Sequence, residues 1–139
     1  MSTYVKKELV VVTGGAGFIG SHVVGKLLAL GHRVAVIDNF RTGKHQNLKD
    51  FRYSDALHIY EFDIVSELHQ AMAKITKEHG AVDRIIHLAA QTSVAYSIAE
   101  PLEDLQINYY GTLKLLEYAK KHSVKKVVFA SSAAVYGDL

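Results

Sequence analysis

The residues that decide the fold are Leu9-Val10-Val11-Val12, followed by Thr13-Gly14-Gly15-Ala16-Gly17-Phe18-Ile19-Gly20. Four apolar residues in a row, stopped by Thr-Gly-Gly, read as a strand buried on both faces. Beyond the glycines, Ile19, Val23, Leu27 and Leu30 recur at +4, +4 and +3, the spacing of one helix face. Gly31 then supplies a stop. Gly14, Gly17 and Gly20 satisfy G-x-x-G-x-x-G, and Gly15 opens a G-x-G-x-x-G. In such a turn one glycine allows the sharp bend, one lets backbone approach a phosphate, and one lets helix pack on strand. The helix N-terminus adds free N–H groups and the positive end of its dipole. A tight turn with no ligand is the bland alternative.

Asp38 weighs toward the first reading. It ends the next predicted strand, Arg33 to Ile37, and comes 18 residues after Gly20. A carboxylate at about that distance accepts from both hydroxyls of an adenosine ribose. Its charge repels a 2′-phosphate, which favours NAD over NADP, although Arg41 and Lys44 close by count the other way.

Outward from this unit, strand and helix patterns alternate. Leu57 to Phe62 reads as a third strand, and Ser66 as the N-cap of a helix carrying Leu68, Met72 and Ile75 that ends at His79-Gly80. Arg84 to Leu88 is a fourth strand. Pro101 suits the first turn of a long helix whose Leu105, Tyr109, Leu116 and Ala119 would face the sheet. Lys126 to Ala130 is a fifth strand. Alternation of this kind predicts an α/β fold, a Rossmann-type doubly wound parallel sheet in three layers, built from right-handed crossovers. Residues 1–139 read as one domain without internal repeat.

Composition narrows the classes. Of the 139 residues 49% are hydrophobic, enough for a core. Sixteen Lys+Arg against 14 Asp+Glu leave a net charge of +2, too mild for nucleic-acid binding by bulk electrostatics. The lysine pairs at 6/7, 120/121 and 125/126 read as solvated ends of elements. With no cysteine, disulfides, thiolate nucleophiles and Cys-ligated zinc are excluded. The eight histidines show neither His-x-x-x-His nor His-Glu-x-x-His spacing, so no metal is expected. The apolar run near the N-terminus is too short for a signal peptide, and nothing approaches the ~18 apolar residues of a membrane span. The expectation is a cytoplasmic protein with no membrane and no nucleic-acid partner.

The string TGGAGFIGSH, then Asp38-Asn39-Phe40, Asp63-Ile64, His87-Leu88-Ala89-Ala90-Gln91, Asn108 with Gly111-Thr112, and Ser131-Ser132-Ala133-Ala134-Val135-Tyr136-Gly137 resemble the extended short-chain dehydrogenase/reductases. Within that family the chain is most similar to the NAD-dependent nucleotide-sugar 4-epimerases of the UDP-glucose/UDP-galactose type. The resemblance implies that Gly14, Gly17, Phe18, Ile19 and Gly20 hold the pyrophosphate, and that Asp38, Asn39 and Phe40 lie on the adenosine ribose. It implies Asp63 and Ile64 beside the adenine, and Leu88, Ala89 and Ala90 along the nicotinamide-side ribose. Asn108 would bond backbone near the active site, and Ser131 would border the cofactor. Ser132 would be the catalytic serine on the sugar hydroxyl that is oxidised. Read from the residues alone, Asp63 and Ser132 are equally well turn residues and Asn108 an exposed helical asparagine. Ala133 and Ala134 stand where the sugar-nucleotide dehydratases carry an acid pair, which disfavours dehydration.

The family's Tyr-x-x-x-Lys pair follows the serine motif, and the chain stops at Leu139 before it. Tyr110 and Lys114 have that spacing in a different helix and read as an ordinary i,i+4 pair. The chain is therefore expected to be the N-terminal, NAD-binding part of an epimerase that interconverts UDP-sugars through a 4-keto intermediate. The substrate domain is absent, and no turnover is expected from the chain alone. The resemblance implies a homodimer for the whole enzyme. Open alternatives are a non-catalytic dinucleotide-binding or interaction module, or a related decarboxylase or reductase. With a sixth strand missing, Val127 to Ala130 would form an open edge prone to self-association.

Overall fold

A computed structural model describes residues 7–137. Its strands are β1 (Leu9–Thr13), β2 (Arg33–Asp38), β3 (Leu57–Glu61), β4 (Arg84–His87) and β5 (Lys126–Phe129). They form one five-stranded sheet in the order β3-β2-β1-β4-β5, every pair parallel. All five residues of β1 are buried, as its unbroken apolar run requires. Alternate residues of β1 and β2 feed opposite layers. Val10, Val12, Val34 and Val36 pack with Ala16, Val24 and Leu48 under α1 (Phe18–Ala29) and the 3-10 turn His45–Phe51. Leu9, Val11, Ala35 and Ile37 pack on the other face with Leu68, Met72 and Ile75 of α2 (Leu68–His79), and with Leu115 and Ala119 of a later helix, Thr112–Lys121. Three layers result.

The N-terminal ends of β1, β4 and β5 are tied by charge. Glu8 accepts from Arg84 at 2.6 Å, Asp83 pairs with Lys125 at 2.5 Å, and the Leu9 N–H donates to Asp83 at 2.9 Å.

Three sequence expectations are corrected here. The buried residues of α1 are Gly20, Ser21 and Val24; of the expected row Val23 and Leu27 pack half-buried against the same core, whereas Ile19 is 65% and Leu30 51% exposed. The helix is rotated because a Cβ at position 20 would collide with the Gly14 carbonyl oxygen, so only glycine can take the inner position. Ser66 does not cap α2. The residue before the helix is Glu67, and the turn is held from Asp63, whose Oδ1 accepts the N–H groups of Val65 (2.7 Å) and Ser66 (3.2 Å). Glu67 reaches back to the Asp63 N–H at 3.0 Å, closing the turn reciprocally.

The third correction concerns the predicted long helix. Short helices α3 (Val94–Ala99) and α4 (Pro101–Leu105) lead through a π-helical turn, Gln106–Gly111, into α5 (Thr112–Lys121). Of the four residues expected to face the sheet only Ala119 is buried, and Leu105, Tyr109 and Leu116 are exposed. The inner row is Gly111, Leu115, Tyr118 and Ala119. A π turn carries an extra residue, so a face projected from one side of it at 3.6 residues per turn misses on the other. Gly111 sits innermost because a Cβ there would press on Ile64 at 2.9 Å.

β5 is an edge strand, paired with β4 among the described residues, with Val128 46% and Phe129 60% exposed. Amide exchange in Val127 to Phe129 of the 139-residue chain is expected to outrun that of Val10 to Val12 by at least roughly a hundredfold. Equal protection of both segments in a demonstrated monomer would show that the edge is closed by another route. Among the described residues no helix is long and apolar enough to cross a membrane.

Candidate functional site

The strand order reverses beside β1: the chain leaves β3 on one side and returns as β4 on the other. At such a switch point the loops leaving neighbouring strands diverge and open a crevice at the carboxyl ends. A cavity of about 550 Å³ lies there. That is within the ordinary range of small-molecule sites. Its walls come from the turn after β1, the ends of β2 and β3, and the segment after β4.

The first wall is the glycine turn. Gly14 has φ +69° and lies so close to the exit of β4 that a Cβ would meet the Ala89 nitrogen at 2.7 Å. Gly17 is the N-cap of α1 and supplies no side-chain cap, and no acidic residue stands in the first turn. The positive end of α1 therefore faces the cavity uncapped, with Gly14, Gly17, Phe18 and Ile19 lining it. Gly20 does not line it; its part is the close packing of α1.

Asp38 forms the second wall. It is 7% exposed, its Oδ2 accepts the Ala16 N–H and its Oδ1 the Phe40 N–H, both at 2.9 Å. An ionised carboxylate has about four acceptor sites, so two backbone bonds leave capacity for two hydroxyls. Gly43 lies against the same carboxylate, where a Cβ would stand 2.8 Å from Oδ1. Asn47 donates to the Ala16 carbonyl at 2.7 Å and ties this loop to the glycine turn. Neither Gly43 nor Asn47 was singled out from the sequence. Phe40 turns away: its backbone is left-handed (φ +54°) and its ring stacks on His45 at 3.8 Å.

Asn39, Asp63 and Ile64 line the third side. Asn39 donates to Asp63 Oδ2 at 2.8 Å. Burial would raise the Asp63 pKa, but bonds from Asn39 and from the Val65 and Ser66 N–H groups outweigh it, so the carboxyl titrates below its ordinary value. Asp63 is at once a turn residue and part of the wall.

Leu88, Ala89 and Ala90 form the floor. Thr112 Oγ1 donates to the Asn108 carbonyl at 2.7 Å, so it accepts from His87 Nε2–H at 2.9 Å. His87 Nδ1 then accepts from the Thr13 hydroxyl at 2.6 Å, and Thr13 Oγ1 receives the N–H groups of Leu88 and Ala89 at 3.2 Å each. The chain of bonds fixes one neutral tautomer of His87 and the backbone of the floor with it. Burial holds the His87 pKa at about 4. Asn108 clamps the next residue: its amide accepts from the Gln91 N–H at 2.8 Å and donates to the Gln91 carbonyl at 3.0 Å.

Ser131 and Ser132 lie outside the cavity wall. Ser132 is exposed, and its Oγ accepts the Ala134 N–H at 3.1 Å at the start of the 3-10 turn Ala133–Tyr136. Tyr110 and Lys114 are a helix pair whose ammonium lies 5.1 Å from the ring centre and donates to the Val65 carbonyl at 2.6 Å. The remaining cavity-lining residues the sequence reading did not assign include Arg41 and Tyr96. Both are joined to Glu103, which titrates below its ordinary value because of bonds from Tyr96 and Arg41.

Residues 10–139 match the model of the NAD dependent epimerase/dehydratase family. The UDP-glucose 4-epimerase of Bos taurus is 40% identical, the match covering 94% of this chain and 39% of that protein. The crystal structure of the Thermus thermophilus UDP-glucose 4-epimerase in complex with NAD superposes with a TM-score of 0.76 at 40% identity, over 89% of this chain and 37% of that one. The UDP-N-acetylglucosamine 4-epimerase of Methanobrevibacter ruminantium, solved with UDP-N-acetylmuramic acid, gives 0.81 at 42% identity, over 96% of this chain and 41% of that one. This chain spans about 40% of the length of the relatives it matches. With strand order, glycine turn and family match in agreement, the chain belongs to the NAD dependent epimerase/dehydratase family.

Proposed function

We propose that these 139 residues are the NAD-binding part of a UDP-sugar 4-epimerase of the UDP-glucose/UDP-galactose type. The observation that carries this reading is the convergence of the uncapped α1 N-terminus, the Asp38 carboxylate and the Asp63–Ile64 turn on one cavity. The relatives named for 4-epimerase activity, one solved with NAD, support it.

In this reading, Gly14, Gly17, Phe18 and Ile19 hold the pyrophosphate against the helix N-terminus. Asp38 takes the adenosine ribose, Asn39 holds Asp63 in place beside the adenine, and Ile64 packs against that ring. Leu88, Ala89 and Ala90, fixed through Thr13 and His87, shape the nicotinamide end. When bound, NAD supplies a reversible acceptor for a hydride from a sugar carbon. Ser132 would hydrogen-bond the sugar hydroxyl, and Asn108 keeps the segment after β4 in register through Gln91.

The whole enzyme is read as a homodimer acting in the cytoplasm. The dimer is supported by the exposed apolar side chains Leu102, Leu105, Tyr109, Leu113 and Leu116 on successive turns of the helical segment from α4 to α5.

Calorimetric titration of the 139-residue chain tests the cofactor. NAD is expected to bind at least about tenfold tighter than NADP, because a 2′-phosphate would face the buried Asp38 carboxylate. Asp38→Ala is expected to narrow that ratio and to weaken NAD, losing two ribose bonds. Tighter binding of NADP by the unsubstituted chain would sink the assignment of Asp38.

A further inference from the structure

The rim of the cavity is bridged by three side chains from distant parts of the sequence. Arg41 comes from the loop after β2, Tyr96 from α3 and Glu103 from α4. One guanidinium nitrogen of Arg41 donates to Glu103, and the other terminal nitrogen donates to the Tyr96 hydroxyl at 2.9 Å. The Tyr96 hydroxyl donates in turn to the second Glu103 oxygen. The guanidinium carbon also lies 5.0 Å from the centre of the Tyr96 ring. The three groups close a ring of hydrogen bonds. Arg41 and Tyr96 line the cavity, whereas Glu103 is not part of its lining.

Arg41 is three residues beyond Asp38, within the loop that carries the ribose-binding acid. An arginine in that region is the group a dinucleotide site uses to accept a 2′-phosphate. Its planar fork of donors matches a phosphate as well as a carboxylate. Here both terminal nitrogens are already engaged, one with a full negative charge. A phosphate arriving beside Asp38 would meet a guanidinium whose charge Glu103 already balances and whose plane the two bonds orient, and would meet repulsion from Glu103 and Asp63 as well.

We propose that Glu103 and Tyr96 form a clasp that withholds Arg41 from a 2′-phosphate, making Glu103 a determinant of NAD over NADP from outside the cavity. The proposal rests on the dinucleotide reading given above. It assigns selectivity to two cooperating parts: the Asp38 carboxylate repels the phosphate, and the clasp engages Arg41, the cation that lines the cavity beside it and would offset the repulsion. Specificity of this kind comes as much from denying a contact to the wrong ligand as from contacts to the right one.

The test compares four chains by calorimetric titration with NAD and with NADP at about 0.15 M salt, where surface charges still act over roughly 8 Å. These are the unsubstituted chain, Glu103→Gln, Arg41→Ala, and the two changes together. Glu103→Gln is expected to narrow the NADP-to-NAD ratio of dissociation constants by about tenfold, the scale of one charge-assisted phosphate contact. Arg41→Ala is expected to leave the ratio unnarrowed, and the double variant to follow Arg41→Ala, which shows that the released arginine does the work. A ratio for Glu103→Gln within twofold of the parent, with NAD still bound, overturns the clasp and leaves the dinucleotide reading standing. Failure of the parent to bind either nucleotide overturns that reading, and the clasp with it. Should Glu103→Gln lose its cooperative melt, Tyr96→Phe replaces it: about threefold narrowing supports the clasp, and an unchanged ratio overturns it.

Discussion

Replacing Gly14 with alanine is expected to lower the unfolding free energy by about 3 kcal/mol or more and to abolish dinucleotide binding. Two costs add. The φ of +69° is left-handed, which costs a side-chain-bearing residue roughly 1–2 kcal/mol. The new Cβ would also stand 2.7 Å from the Ala89 nitrogen and 2.8 Å from the Leu88 carbonyl carbon. Overpacking of this kind costs about 1–3 kcal/mol where the neighbour yields. This neighbour is backbone pinned by two bonds to Thr13 Oγ1, so any yielding deforms the cavity floor. Gly31 is the control. Its φ is +83°, but a Cβ there has nothing within 4 Å, so Gly31→Ala is expected to lose only about 1–2 kcal/mol. Urea unfolding of the two variants separates strain from collision, and equal losses would show that the approach of Gly14 to β4 carries no weight.

The second large effect is a loss of stability in acid that follows His87. Folding lowers its pKa from 6.5 to about 4 through burial, in a site 2% exposed. Between those values the unfolded chain holds the extra proton and the folded chain does not, so stability falls as the pH drops. The loss begins near pH 6.5, reaches about 3 kcal/mol by pH 4, and contributes nothing above neutrality. His87→Gln, which stays neutral, is expected to flatten this limb in a series of urea midpoints. Part of the slope should remain, because His58 also titrates low through burial and the charges of His79 and Arg33. Carboxylates held below their ordinary range, among them Glu8, Asp63 and Glu103, add their own losses further into acid. A parent and variant with the same slope between pH 6.5 and 4.5 would mean that His87 is reached by water in the native state.

How far the site was legible depends on how local its causes are. The glycine turn could be read because strand, bend and helix follow one another within 21 residues. Asp38 could be read because it ends the adjacent strand. Asn108 could not be placed from spacing alone, because its partner, the Gln91 backbone, lies 17 residues away. The phase of α1 was read only in part: Val23 and Leu27 pack against the core, but Ile19, which opens the same apolar stripe, is exposed. What rejects it is the Gly14 carbonyl, which no periodicity contains. Ser66 lost the cap to Asp63 for a similar reason: both are sound capping residues, and the backbone path out of β3 chose between them.

The sequence by itself determined the alternation of β and α elements, the parallel sheet, the glycine turn that opens α1 and the acid at the end of β2. Each of these is written in nearest-neighbour chemistry: β-branched runs, glycines, and a carboxylate at a strand end. Only the tertiary structure decided what Thr13, His87 and Thr112 do together, because 74 and 25 residues separate the partners of the two bonds. It also decided the state of Arg41. In the sequence that residue is a free cation three positions from Asp38; in the folded chain it is held by Tyr96 and Glu103, 55 and 62 residues away. A charge's availability depends on which opposite charge the fold brings beside it, and that is a property of packing rather than of order along the chain.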